Sequence, residues 1–213
     1  MTNVNDSGPG SLRQAITDAC PGDTITFDAS LSGQAITLGS TLVLDKDVTI
    51  DGSSLSSKIE ISGNNSAQVL TISPGINVTL NSIVIRDGFT SETGGGVQNS
   101  GSLTVQNSDF VNNSAAQYGG AISNSGNLTI TDSMFTGNAA TIDGGAVASN
   151  TRIILSKSVF SSNTAGNFGG AIAAQTEGQI ENSTFYNNSA TVAGAIEQSG
   201  NEGDISKSDI NPG

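Results

Sequence analysis

From Gly94 onward, apolar and polar residues recur with a period of 25. The segments Gly94-Gly95-Gly96-Val97, Gly119-Gly120-Ala121-Ile122, Gly144-Gly145-Ala146-Val147 and Gly169-Gly170-Ala171-Ile172 keep that step, and Ala193-Gly194-Ala195-Ile196 follows one residue short. A Phe-x-x-Asn motif runs in the same phase through Phe110 and Asn113, Phe135 and Asn138, Phe160 and Asn163, and Phe185 and Asn188. Ile85 and Gly88 occupy its positions one period earlier, and Ile210 and Gly213 one period later. Between these landmarks the apolar residues alternate, as Leu103 and Val105, Leu128 and Ile130, Ile153 and Leu155, with Ile180 and Ile205 continuing one column. Alternation at period two describes a short strand with one buried face. A repeat of this length has no room for a crossover helix, so each rung covers its neighbour's apolar face only by stacking on it. The pattern predicts an all-β fold, a right-handed, single-stranded parallel β-helix.

Stacking gives each column a role, because residues one period apart touch at about 4.8 Å along the whole array. The column Asn113, Asn138, Asn163 and Asn188 predicts an amide ladder inside a turn, and Phe110, Phe135, Phe160 and Phe185 predict an aromatic stack beside it. A carbohydrate-stacking strip is the functional alternative for these columns. The Gly pairs predict bends that need positive φ or close approach between rungs.

The first part of the chain is less regular. Ser11 to Cys20 reads as an amphipathic helix with Leu12, Ala15, Ile16 and Ala19 on one face, and Cys20 reads as a small buried apolar residue. Short strands are expected at 24–27, 35–38, 42–44, 48–50 and 59–61. An open solenoid end needs a cover, so the helix is the expected N-terminal cap. The organisation read from this is one domain over 1–213, with a cap at 1–23, irregular first rungs at 24–93 and regular repeats at 94–213. The last rung shows no cap, which suggests a piece of a longer protein or end-to-end self-association through that rung.

Composition narrows the function. With 19 acidic residues against 7 basic ones, the formal charge is −12, which disfavours nucleic acid and anionic membranes as partners. The chain has one Cys and no His, so no disulfide, transition-metal site or cofactor is expected. It has no apolar run long enough for membrane insertion and no signal sequence at its start.

The Gly-Gly-Ala-Ile and Phe-x-x-Asn repeats resemble those of the chlamydial polymorphic membrane proteins. The opening Asn5-Asp6-Ser7-Gly8-Pro9-Gly10-Ser11-Leu12-Arg13-Gln14-Ala15-Ile16, with Gly22-Asp23-Thr24-Ile25-Thr26-Phe27 and Val48-Thr49-Ile50-Asp51-Gly52, resembles the start of large bacterial extracellular proteins of pectin-lyase-like fold. The resemblance implies an extracellular or cell-surface location and an adhesin-like or structural role, with carbohydrate or a cell-surface protein as partner.

Folds of this type also host lyases and hydrolases. A lyase needs acidic Ca²⁺ ligands beside a basic residue, and none of Arg13, Arg86 and Arg152 has an acidic cluster in register. Arg152 stands one period before Glu177, as in a surface ion pair. A hydrolase needs two carboxylates on one groove, and the best pair is Glu177 with Glu202, one period apart, near Glu181, Glu197 and Asp204. Ice binding, a third class, would need outward Thr pairs on every rung, and the regular repeats supply only Thr129-Ile130-Thr131. The expected function is a non-catalytic surface module, with a polysaccharide lyase or glycoside hydrolase as the alternative.

Overall fold

In the computed structural model the chain winds into a parallel β-solenoid of about 7 turns, preceded by one short helix. The structure describes residues 1–176 and 178–199, together with the backbone of the strand Ser206–Lys207. A typical rung, from Ser102, places Ser102–Gln106 in a first sheet and Asp109–Val111 in a second. Ser114–Ala115 then lies in a narrow third sheet and Ile122–Asn124 in a fourth. All pairings between rungs are parallel and in register, as in Leu103 with Leu128 and Val78, or Phe110 with Phe135 and Ile85.

The early rungs obey the same stacking despite their irregular spacing. Asp23–Thr26 pairs with Val48–Asp51, which pairs with the strand Asn77–Asn81, and Ala35–Thr37 pairs with Ile59–Ser62. Strand pairing therefore reaches back to residue 23. The extra residues of these rungs bulge outside the strands and leave the register intact.

The core is one continuous apolar column system. Its second-sheet column runs Ile36, Ile61, Ile85, Phe110, Phe135, Phe160, Phe185, all essentially inaccessible. The four rings stack at centroid distances of 4.7, 4.6 and 5.0 Å.

The cap helix spans Leu12–Asp18, with the Ser11 side chain accepting from the Gln14 N–H and Leu12 and Ile16 buried over the first rung. Arg13 anchors the cap by donating to the Asp6 carboxylate at 2.7 Å and to the carbonyls of Ser40 and Thr41. Cys20 is exposed, against the expectation of a buried residue. The helix ends at Asp18, and Ala19, at its C-cap, is already extended, so Cys20 leaves the apolar face that the helical spacing implied.

Corners between sheets use left-handed residues in register. Asn107, Asp132, Lys157 and Asn182 turn the chain from the first sheet to the second, and Asn112, Gly137, Ser162 and Asn187 from the second to the third. Each Gly pair divides its work. Gly144 is left-handed at φ 67, whereas a Cβ on Gly145 would press into the carbonyl oxygen of Gly170 and the backbone of Thr164. Gly145→Ala is expected to cost about 1–3 kcal/mol in urea unfolding, because the rungs cannot separate locally to admit the methyl group.

One exposed tie bridges an irregular pair of rungs. The Asp47 carboxylate accepts from the backbone N–H of Asn77 at 2.7 Å and from its Nδ2 at 3.1 Å. The backbone bond, then the side-chain bond, holds its pKa below the ordinary Asp value. A depressed folded-state pKa stabilises above the unfolded value, and the contribution is lost as pH falls through the folded one. The Tm gap between wild type and Asp47→Ala is therefore expected at neutral pH and should close as pH falls below the ordinary Asp range and through the folded-state pKa.

Candidate functional site

The Asn column forms the ladder its spacing implies. Asn113 Nδ2 donates to Asn138 Oδ1 at 3.0 Å, Asn138 to Asn163 at 3.0 Å, and Asn163 to Asn188 at 2.9 Å. Each Oδ1 also accepts the backbone N–H of the preceding Asn, and each Nδ2 also donates to a carbonyl of the rung below, as Asn138 does to Phe110. These Asn and Phe side chains are held inside the solenoid, so the carbohydrate-strip alternative fails and both columns are structural.

Two further ladders escaped the sequence reading. Asn99 donates to Asn124 at 2.6 Å, and Asn124 to the Ser149 hydroxyl at 2.8 Å. The hydroxyls of Ser108, Ser133, Ser158 and Ser183 each accept a backbone N–H from the rung before. Their 25-residue spacing was the available signal. On the outer face of the first sheet, Thr24, Thr49, Thr79, Thr104 and Thr129 stand in one column, hidden in the sequence by the irregular early spacing. Ile154 ends it, and the companion column reads Thr26, Asp51, Asn81, Gln106 and Thr131, so no flat two-column Thr array forms.

Of the candidate catalytic acids, Glu177, Glu202 and Asp204 lie outside the described residues. Glu181 accepts from Gln179 at 2.6 Å, and Arg152 reaches Gln179. Arg86, like Arg13, has acidic partners although no acidic cluster stands in register with it. It donates to Glu60 and to Asp87, each at 2.7 Å, because the 24-residue step from Glu60 to Val84 leaves Glu60 two positions along the sheet from Arg86 and on the same face. Those two bonds, that to Glu60 first, raise the guanidinium pKa. Among the described residues no group of three or more His, Cys, Asp or Glu could hold a metal ion.

The surface feature with chemistry to offer is a groove of about 560 Å³ over the outer face of the fourth sheet, running across the strands along the solenoid axis. Its floor is the column Gln98, Ser123, Ala148, Ala173, Glu197, mostly small side chains because outward positions there carry no core duty. One wall is the residue just before each Gly pair. Tyr118, Asp143 and Phe168 follow one another there on successive rungs through parallel bridges. The other wall carries Ser125, Asn150 and Gln175, exposed hydroxyl and amide groups. Tyr118 and Phe168 keep 38% and 41% of their surface exposed, and of the chain's exposed aromatics these two line the groove. Asp143 accepts from the Phe168 N–H at 3.2 Å, which pins the two rungs of the wall together.

A buried Asn ladder, an in-line aromatic stack and Gly-pair bends on a 25-residue rung define a repeat-built parallel β-solenoid. Two stretches, residues 107–125 and 157–175, match the Chlamydia polymorphic membrane protein repeat. They lie two rungs apart in the same phase, each running from a left-handed corner through the Phe-x-x-Asn turn and Gly pair to the end of the fourth-sheet strand. Those two stretches of the solenoid are thus similar to the polymorphic membrane protein repeat. No curated protein matches the chain. Among the described residues no helix is long and apolar enough to cross a membrane.

Proposed function

We propose that this chain is a non-catalytic, surface-displayed β-helix module of adhesin-like character, binding an extended glycan or protein segment in the fourth-sheet groove. The observation that carries the reading is the pair of exposed aromatics, Tyr118 and Phe168, along one wall of a groove with a small-residue floor. Aromatic rings beside amides and hydroxyls suit ligands that present both apolar and hydrogen-bonding faces. The surface location rests on the repeat type, whose family is one of outer-membrane-associated proteins.

The groove also holds two carboxylates, Asp143 and Glu197, which keeps hydrolysis as a second reading. Glu197 pairs through Ala173 to Ala148, and Asp143 lies five residues before Ala148. Their backbones are thus two rungs apart, about 9.6 Å axially, with a lateral offset added. Either glycosidase mechanism needs carboxyls about 5–9.5 Å apart, so product release is the readout that separates the two readings. A glycan-array and cell-binding screen run beside a product-release assay tests the proposal. Retention without turnover, weakened about tenfold by Phe168→Ala, is the expected result. Product release abolished by Asp143→Asn or Glu197→Gln would overturn it.

A further inference from the structure

In the Arg86–Glu60–Asp87 cluster both carboxylates are already bound by the guanidinium, and the Thr column of the first sheet lacks a partner column. The groove carries an inference further, about the class of ligand and its direction.

We infer that the groove takes a neutral, flat β-1,4-linked polysaccharide lying parallel to the solenoid axis, with alternate sugars against Tyr118 and Phe168. The inference rests on the groove reading above and adds ligand chemistry to it.

Direction comes from shape. The floor column and both walls run along the axis, perpendicular to the strands, so a linear polymer fits only in that direction. Period comes from the wall. Tyr118 and Phe168 are separated by the Asp143 rung, so the rings repeat at two rungs, about 9.6 Å. A flat β-1,4-linked chain turns each sugar over relative to the last and presents the same face at every second residue. Two rings two rungs apart therefore meet equivalent faces of sugars n and n+2, while the intervening sugar passes Asp143. Helically coiled α-linked or β-1,3-linked chains do not hold equivalent faces in line over that distance.

Charge decides the rest. Asp143 stands between the rings and Glu197 on the floor, and the chain as a whole carries −12, so polyuronates are repelled and neutral polymers are not. Asp143 can accept from the hydroxyls of the middle sugar, and Asn150 and Gln175 on the facing wall can donate to or accept from the sugar edges.

The test is calorimetric titration of the full chain with cello- and chito-oligosaccharides from the disaccharide to the hexasaccharide. Malto- and laminari-hexaose and polygalacturonate serve as comparison ligands. Tyr118→Ala and Phe168→Ala are the groove variants, and Tyr186→Ala, an equally exposed aromatic on the second sheet, is the control. The expected result is binding of a β-1,4-linked series with an affinity step between the disaccharide and the trisaccharide, the shortest chain that reaches both rings. Either groove variant should weaken it about tenfold, Tyr186→Ala should leave it unchanged, and added salt should have little effect. Preference for maltohexaose, laminarihexaose or polygalacturonate with the same variant pattern would overturn the ligand class and leave the groove reading standing. Binding indifferent to Tyr118→Ala and Phe168→Ala, or no binding of any sugar while Phe168→Ala still lowers cell adhesion, would overturn the inference alone. Absence of both sugar binding and adhesion would overturn the inference and the proposed function together.

Discussion

Asn138→Ala is expected to lower stability by about 3–5 kcal/mol, read as a shifted midpoint in urea unfolding followed by circular dichroism. The Asn138 amide is fully buried and serves three rungs at once. Its Oδ1 accepts both the backbone N–H and the Nδ2 of Asn113, and its Nδ2 donates to Asn163 Oδ1 and to the Phe110 carbonyl. Truncation leaves the Asn113 N–H without a partner in a dry turn and removes one bond each from the Asn113 amide, the Asn163 Oδ1 and the Phe110 carbonyl. Each orphaned buried group costs about 1–3 kcal/mol, far more than the net value of the bond it lost. Asn150→Ala supplies the contrast, since that side chain is exposed and its removal should stay within about 0.5 kcal/mol. Equal effects from the two would mean that the ladder does not hold the turn.

Phe135→Ala is the second large effect, at about 3–5 kcal/mol. Its ring lies between Phe110 and Phe160 at 4.7 and 4.6 Å, nearly parallel to both, and is inaccessible to solvent. Rung spacing is set by backbone hydrogen bonds, so neighbouring rings cannot slide along the axis to fill the cavity. Phe135→Leu should cost less, under about 1.5 kcal/mol, because the same column is aliphatic at Ile36, Ile61 and Ile85. A solenoid contacts only neighbouring rungs, so the loss should appear first as reduced amide-exchange protection around residues 110 and 160. Uniform loss of protection from the cap to the last described rung would show that the stack unfolds as one unit instead.

Much of the fold was legible because a solenoid writes its contacts at one sequence separation. Phe110, Phe135, Phe160 and Phe185 can share a column only if the rungs stack in register, and the structure pairs them so. The cap helix was equally readable from Ser11, Leu12 and Ile16, since capping and burial there are local. Cys20 was misread because helical periodicity was carried past the residue where the helix ends. The Arg86 ion pairs were missed because the step from Glu60 to Val84 departs from 25 and brings Glu60 beside Arg86. The candidate acids Glu177 and Glu202 lie outside the described residues, and the groove is built from others. Tyr118, Asp143 and Phe168 occupy one structural position with three different chemistries, so a search for identical residues passes over them.

The sequence by itself determined the parallel stack, its rung length, the Asn ladder and the Phe core, because each depends on a residue meeting its counterpart one period later. Only the tertiary structure decided which outward columns face one another across a groove. That relation depends on where the left-handed corners and Gly pairs turn the chain between the third and fourth sheets, and on how far each turn projects. Periodicity specifies what lies above and below a residue, whereas the path around a rung specifies what lies beside it.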